Sequence, residues 1–444
     1  MRKNFNLPAI KERLAQANGK KYWRSLEEIA ETEEFQDFLE HEFPQGADQW
    51  LNPIGRRNFL KLMGASLALG GLASCSPQPA KKIVPYVKAP EEVVPGQPLF
   101  FATAFQLGGV ATGIIAESNM GRPTKIEGNP DHPGSLGGTN ALAQASILNL
   151  YDPDRSQTVT NGGLVSAWDS FLGDFIVEVA AQGMTGGGGL RVLTGTVTSP
   201  LLASQLRALV EKYPAAKIVQ YDPVNRDNVY DGAVLAFGQD VNTVYRFDRA
   251  KIVVSLEADF MAPGTAGDVR YSHDFAEARR LRRDKSDMNR LYLVESTPST
   301  TGTLADHRLP LQSSKIKAVA QAIAAQLGVG VDAPAHLPEV SAEWVAAVVE
   351  DLQAHPGESL VVAGSGQPGL VHALAHAINE KLGNVGSTVV HTESLVNAPA
   401  NQTDDLRQLA EDMASGVVSV LVVLETNPVY SAPADLDFIK AMQK

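Results

Sequence analysis

Cysteine is almost missing from this chain: among 444 residues there is one, Cys75. A [4Fe–4S] cluster takes four thiolates and a structural zinc site commonly takes several, so this chain's own thiols can hold neither. An internal disulfide needs two cysteines and is excluded too. Positive charge is also scarce. Lys and Arg number 38 against 50 Asp and Glu, for a formal net charge of -12. Nonspecific nucleic-acid binding rests on neutralising phosphates, so no nucleic-acid partner is expected. An acidic body is equally poorly suited to anionic lipid. HExxH, EF-hand and GxxxxGK[ST] patterns do not occur. What remains is an ordinary globular composition, 44% hydrophobic and 20% charged, long enough for two or three domains.

The most specific local signal is Gly55-Arg56-Arg57-Asn58-Phe59-Leu60-Lys61, followed by an Ala/Gly/Leu-rich run over 62–73. Arg56, Arg57, Phe59, Leu60 and Lys61 have the order of a twin-arginine export signal. The run is shorter than the roughly 20 residues of a membrane span. Leu72-Ala73-Ser74-Cys75 resembles a lipobox, in which Cys75 would carry a lipid anchor. Its place, well inside the chain, is late for such a signal. Upstream, residues 1–54 read as an arm with short helices. Ser25 is a candidate N-cap with Glu28 three residues on, and Phe35, Phe38 and Leu39 form an apolar stripe. Residues 76–98 are rich in proline and lysine and read as an extended linker.

The body divides into a small β-rich domain, 99–160, and an α/β region, 161–444, which could comprise two interleaved domains. In the first, strands at 100–105 and 110–117 meet at the Gly108-Gly109 turn, and a third segment spans 123–127. Asn129-Pro130-Asp131-His132-Pro133 is a rigid turn, and 139–149 a helix. In the second, helices are expected at 165–180, 201–213, 276–283, 315–327, 344–353 and 369–382. Strands are expected at 190–193, 216–221, 251–256, 290–295, 359–362 and 418–424. This alternation of apolar strands with helices predicts βα units and parallel sheets.

Ligands of open α/β sheets sit beyond the carboxyl ends of strands. Three loops hold that position: Thr194-Gly195-Thr196-Val197-Thr198-Ser199-Pro200, Ala363-Gly364-Ser365-Gly366-Gln367-Pro368 and Glu425-Thr426-Asn427-Pro428. The first offers hydroxyls and amides to an anion. Short βα connections need the same residues for geometry alone. Gly364-Ser365-Gly366 is neither GxGxxG nor GxSxG. Asp306-His307-Arg308 reads as a polar run rather than an acid–base pair. His372 and His376 share a helix face without the acid of a metalloprotease motif. They and His132 read as structural. No catalytic, cofactor-binding or metal residue is assigned.

Several segments, in order, resemble the N-terminal part of the large iron–sulfur subunit of bacterial alternative complex III, a molybdopterin-oxidoreductase-like polypeptide with a delayed twin-arginine signal. They are the opening Lys21–Glu31 (KYWRSLEEIAE), the signal at 55–75, Arg122–Pro133, Leu150–Ser156, Glu295–Gly302 and Glu425–Tyr430. The resemblance implies a molybdoenzyme-like α/β fold without pterin. It also implies an iron–sulfur, ferredoxin-like part beyond Lys444 or on another chain, so the fold is expected to be incomplete at its C-terminus. No cofactor is expected in this chain; iron–sulfur clusters and c-type haems are expected in partners. Those partners would be the ferredoxin-like domain or subunit, multihaem cytochrome c subunits and quinol-oxidising integral membrane subunits. The place would be the periplasmic side of the bacterial inner membrane, peripheral or lipid-anchored. The function implied is a non-catalytic scaffold in a quinol:electron-acceptor oxidoreductase. The alternatives are a molybdopterin-dependent oxidoreductase subunit, whose metal would need a serine or aspartate ligand or none from the protein, and an exported solute-binding lipoprotein.

Overall fold

Apolar runs too short to be helices become the strands of two parallel sheets, seen in a computed structural model that describes residues 92–281, 287–338 and 341–444. All of these lie in the compact unit Glu91–Lys444. The arm, the signal segment with Arg56, Arg57, Phe59, Leu60, Lys61 and Cys75, and most of the linker fall outside the described residues.

An antiparallel meander comes first: β1 (Leu99–Leu107), β2 (Val110–Asn119) and β3 (Arg122–Gly128), the first pair joined through Gly108-Gly109. Helix α1 (Ala141–Ala145) follows and tightens into a 3-10 turn to Leu150. Asn140 caps α1 by accepting from Ala143 N at 2.8 Å and donates through Nδ2 to the buried Asp268 at 2.8 Å. That bond ties the meander side to the helix that Asp268 opens. We expect Asn140→Ala to cost about 1–2 kcal/mol, the range for a lost cap, read as a shift in the urea midpoint.

The helix expected at 165–180 begins later than its apolar residues suggest. Leu164–Ser166 is β5, paired antiparallel with β4 (Val159–Asn161). Gly162 and Gly163, at φ 57 and 83, close that hairpin in a conformation other residues avoid. Helix α2 (Trp168–Ala181) starts only after it.

The first parallel sheet has the order β14 (Val420–Leu424), β6 (Leu190–Thr194), β7 (Lys217–Gln220) and the second β11 (His307–Pro310), β10 (Arg290–Glu295), β9 (Ile252–Leu256), β12 (Ser359–Ala363). In chain order, β6 (Leu190–Thr194), α3 (Pro200–Lys212), β7 (Lys217–Gln220), α4 (Asp227–Phe237) and β8 (Val241–Tyr245) lead to β9 (Ile252–Leu256). Then come α5 (Asp268–Arg279), β10 (Arg290–Glu295), β11 (His307–Pro310), α6 (Ser313–Gln326), α7 (Ala342–Ala354) and β12 (Ser359–Ala363). The chain continues through α8 (Gly369–Lys381), β13 (Val389–Glu393), α9 (Gln402–Ala414) and β14 (Val420–Leu424) to the short α10 (Pro428–Ser431) and α11 (Phe438–Met442). Strands β8 and β13 pair antiparallel. Helices α4 and α9 and strands β8, β11 and β13 stand outside the expected rhythm; β11 places His307 and Arg308, expected in a polar surface run, at the edge of the second parallel sheet. Helix α5 covers 268–279 rather than 276–283, ending before residues that are not described.

Every residue of β6 and β9 is buried, as parallel strands covered on both faces require. Strand period sorts them. Ile252, Val254 and Leu256 face a core built with Ile316, Val319 and Ile323 of α6, Val345 and Val348 of α7, and Val371 and Leu374 of α8. Val253 turns the other way, onto Phe247, Phe260 and Phe275. In the first sheet Leu193 and Val219 pack on Leu406, Leu409 and Met413 of α9, while Val192 meets Ala203 and Leu206 of α3.

Candidate functional site

Each parallel sheet reverses its strand order once, and there the crevices open. In the second sheet the reversal lies between β9 and β12, in the first between β6 and β14. The two are built alike. One flanking strand ends in a glutamate with left-handed backbone, Glu257 (φ 59) or Glu425 (φ 56). The other runs into a glycine loop at Gly364 or Gly195. Because Thr194 pairs with Leu424, the loops 194–200 and 425–428 share one crevice, and 363–368 belongs to the other.

At the β9–β12 crevice, Glu257 is held from three directions. Ser296 donates to Oε1 from its amide at 3.0 Å and its hydroxyl at 2.6 Å. Ser313, the first residue of α6, donates to Oε2 at 2.5 Å, and the buried Gln367 does so at 2.6 Å. Burial alone would push this carboxyl upward. The hydrogen bonds from Ser296, Ser313 and Gln367 outweigh it and hold the group below the ordinary glutamate range. The carboxylate therefore stands charged where an anionic ligand would need donors. Asp259 accepts from the amide of Thr301 at 2.8 Å, and Glu295 from Ser299 Oγ and Arg308 Nε, each at 2.5 Å. Three carboxylates thus pin the hydroxyl-rich segment 295–302 over the strand ends.

We expect Glu257→Gln to lower stability by about 2 kcal/mol, since an amide nitrogen would face donors where an oxygen accepted them. The wild-type contribution is fully present above the ordinary glutamate range and is lost as pH falls through the depressed folded value. Urea titrations across acidic pH should show the variant's curve flatter there. An equal pH slope in both proteins would refute the assignment.

At the β6–β14 crevice several of the expected donors are also spent. Thr196 gives its amide (2.9 Å) and its hydroxyl to Asp222 Oδ2, and Val197 N donates to Gln220 Oε1 at 2.7 Å. Gln402 of α9 donates to Thr196 Oγ1 and accepts from Asp222 N, each at 2.8 Å. A cavity of about 320 Å³ remains beside Gln106, Ser199 and Glu425. A second, of about 290 Å³, lies against Asp222, Arg226, Tyr230, Tyr245, Tyr271 and Asp405. Burial, then the neighbouring Asp227, raises the Asp405 carboxyl, and burial first of all pushes the Tyr245 phenol far above its ordinary value. Sequence reasoning missed this second cavity, because helix α4 and strand β8, which form its wall, were not read.

The remaining candidates separate. His132 accepts from Gly134 N at 3.1 Å within its turn. Asp306 pairs with Arg279, His307 stacks on Tyr292 at 4.6 Å, and Arg308 goes to Glu295, so the three neighbours share no chemistry. His372 and His376 are buried on α8. Desolvation lowers both to about 4, with Arg226 a further cause for His372 and His391 for His376. The His372 Nε2 is buried without a hydrogen-bond partner among the described residues, and a Cβ added to Gly232 of α4 would lie 2.3 Å from the His372 Cβ. No group of three His, Cys, Asp or Glu among the described residues is arranged to hold a metal. No helix among them is long and apolar enough to cross a membrane.

Glu257 takes up Ser296, Ser313 and Gln367 and Asp222 takes up Thr196 at these crevices, and carboxylates so placed are a poor match for the anionic pyrophosphate of a pterin dinucleotide. No protein-family model and no curated protein matches the chain. Among solved structures, 57 chains match. One is acetylene hydratase from Pelobacter acetylenicus, 12% identical, covering 65% of this chain and 44% of that one, with a TM-score of 0.47. The chain thus spans less than half the length of that relative, and no activity, ligand or partner of the hydratase carries over from so distant a likeness.

Proposed function

We propose that this chain is a non-catalytic scaffold subunit of a quinol:electron-acceptor oxidoreductase of the alternative complex III type, with a molybdopterin-oxidoreductase-like fold. Electrons would pass through iron–sulfur and multihaem cytochrome c partners, and the polypeptide would contribute burial, spacing and electrostatics around their centres. The single observation that supports a non-catalytic role is the internal use of crevice donors by Glu257 and Asp222. The twin-arginine-like segment and Cys75 support a place on the periplasmic side of the inner membrane, beside quinol-oxidising membrane subunits. A second reading, an exported solute-binding lipoprotein, draws on the 290 Å³ cavity.

Mild detergent extraction from native membranes, followed by haem, iron and sulfide assay of the co-purifying proteins, tests the proposal. Haem and iron–sulfur proteins in constant ratio to this chain are expected. Their absence would favour the solute-binding reading. Stoichiometric molybdenum or tungsten with pterin on the isolated chain would replace both readings with the molybdopterin-dependent one. Intact mass of the native chain reads cleavage and lipidation at Cys75 together.

A further inference from the structure

Helix α2 is apolar over most of its circumference, apart from a side carrying Ser170, Asp174 and Glu178, yet none of its fourteen residues is buried. Trp168, Phe171, Phe175, Ile176, Val177 and Val179 sit on it, and Ile176 and Val177 are 63% and 66% exposed. Adjacent positions differ by about 100° around a helix, so these two expose different sides. Leu164 and Val165, in the hairpin that leads into α2, are 76% and 77% exposed. Among the described residues, Val179 is the one α2 side chain packed against a buried cluster, that of Leu190, Tyr213 and Ala216. An apolar face this wide belongs against a neighbouring element, and an isolated helix of this length is marginal in water. The rings of Trp168, Phe171 and Phe175 are already in register, with centroids 5.1 and 5.5 Å apart.

Charge selects the occupant. Between Arg155 and Arg191 the chain has no lysine or arginine, and α2 carries Asp169, Asp174 and Glu178. An anionic bilayer would be repelled by those acids. A second copy would bring the same three acids against themselves, and like charges across an interface are costly. We infer that residues 164–181 form a docking surface for a different polypeptide, one presenting an apolar face rimmed by lysine and arginine. The inference rests on the docking half of the scaffold reading and needs no redox chemistry.

The test uses the full chain in the cells that make it, with a benzophenone cross-linker carried at Val177 and the attached peptide sequenced. The expected adduct is an apolar peptide of net positive charge from another polypeptide. An adduct with lipid, with this chain itself or with an acidic peptide, or no adduct, overturns the proposal. In vitro, a synthetic amphipathic helix of leucine and lysine is titrated against the purified chain and followed by hydrogen exchange at 164–181. Replacing Ile176 and Val177 together by serine leaves the charge unchanged and should weaken binding about tenfold or more without lowering the melting temperature of the free chain. Equal binding of a leucine–glutamate peptide, or no loss in the double variant, would also overturn it. A cross-linked basic partner lacking both haem and iron–sulfur would sink the electron-transfer reading and leave this surface standing.

Discussion

Gly364→Ala should lower the unfolding free energy by about 3 kcal/mol, the upper end of overpacking costs. A Cβ at Gly364 would lie 2.0 Å from the Glu257 carbonyl oxygen and 2.6 Å from its carbonyl carbon. Both are backbone atoms at the end of a fully buried strand, so no side chain can swing aside to relieve the clash. The left-handed turn at Glu257 would have to shift, and its hydrogen bonds from Ser296, Ser313 and Gln367 with it. The matched control is Gly195→Ala, at the equivalent position of the other sheet. There the nearest atom is Asp222 Oδ1 at 3.2 Å, a side-chain atom that would need to give by only a few tenths of an ångström. That variant should cost under about 1 kcal/mol. Urea unfolding of the two proteins side by side decides the matter. Equal losses would mean that the β9–β12 crevice is not the rigid element described.

Asp412→Ala should cost about 3–5 kcal/mol, the range for leaving one partner of a buried pair uncompensated. Arg191, buried within β6, donates to Asp412 Oδ2 through Nε at 3.0 Å and Nη2 at 2.8 Å. Without that carboxylate its guanidinium keeps only the carbonyls of Gly188 and Leu190. Lys217 also reaches Asp412, at 3.0 Å, but is half exposed, so Lys217→Ala should cost well under about 1 kcal/mol. Burial would raise the Asp412 carboxyl; hydrogen bonds from Lys217, Arg191 and Gln408 more than offset it and hold it low. Its contribution is therefore complete above the ordinary aspartate range and disappears as pH falls through the depressed folded value. Thermal melts at neutral and acidic pH should converge for wild type and variant as the pH drops. A constant gap across that range would count against the pair as the source.

Much of the architecture was legible because burial on both faces leaves a plain trace. The run Lys251-Ile252-Val253-Val254-Ser255-Leu256 can be little else than a covered strand, and β9 occupies Ile252–Leu256. Helices α6, α7 and α8 begin and end within two residues of expectation, since their apolar stripes repeat over three turns. Helix α9 carries the same kind of stripe, Leu406, Leu409, Ala410 and Met413, behind an Asn401 cap, so its signal was there to be used. Helix α4 is different. Its Asp231-Gly232 face fits against Gly369 and His372 of α8, a closeness of two backbones that no local pattern encodes.

By itself, the sequence determined what this chain cannot do with thiols, where its buried strands lie, and which loops follow them. Those properties depend on residue type and short-range period. Only the tertiary structure decided that 194–200 shares a crevice with 425–428 and not with 363–368, because sheet order joins segments more than two hundred residues apart. Tertiary structure alone also decided that Glu257 takes up Ser296, Ser313 and Gln367 and Asp222 takes up Thr196, and that the described residues leave most of α2 exposed. Both depend on which distant side chains arrive at one place, which long-range packing sets and local pattern does not record.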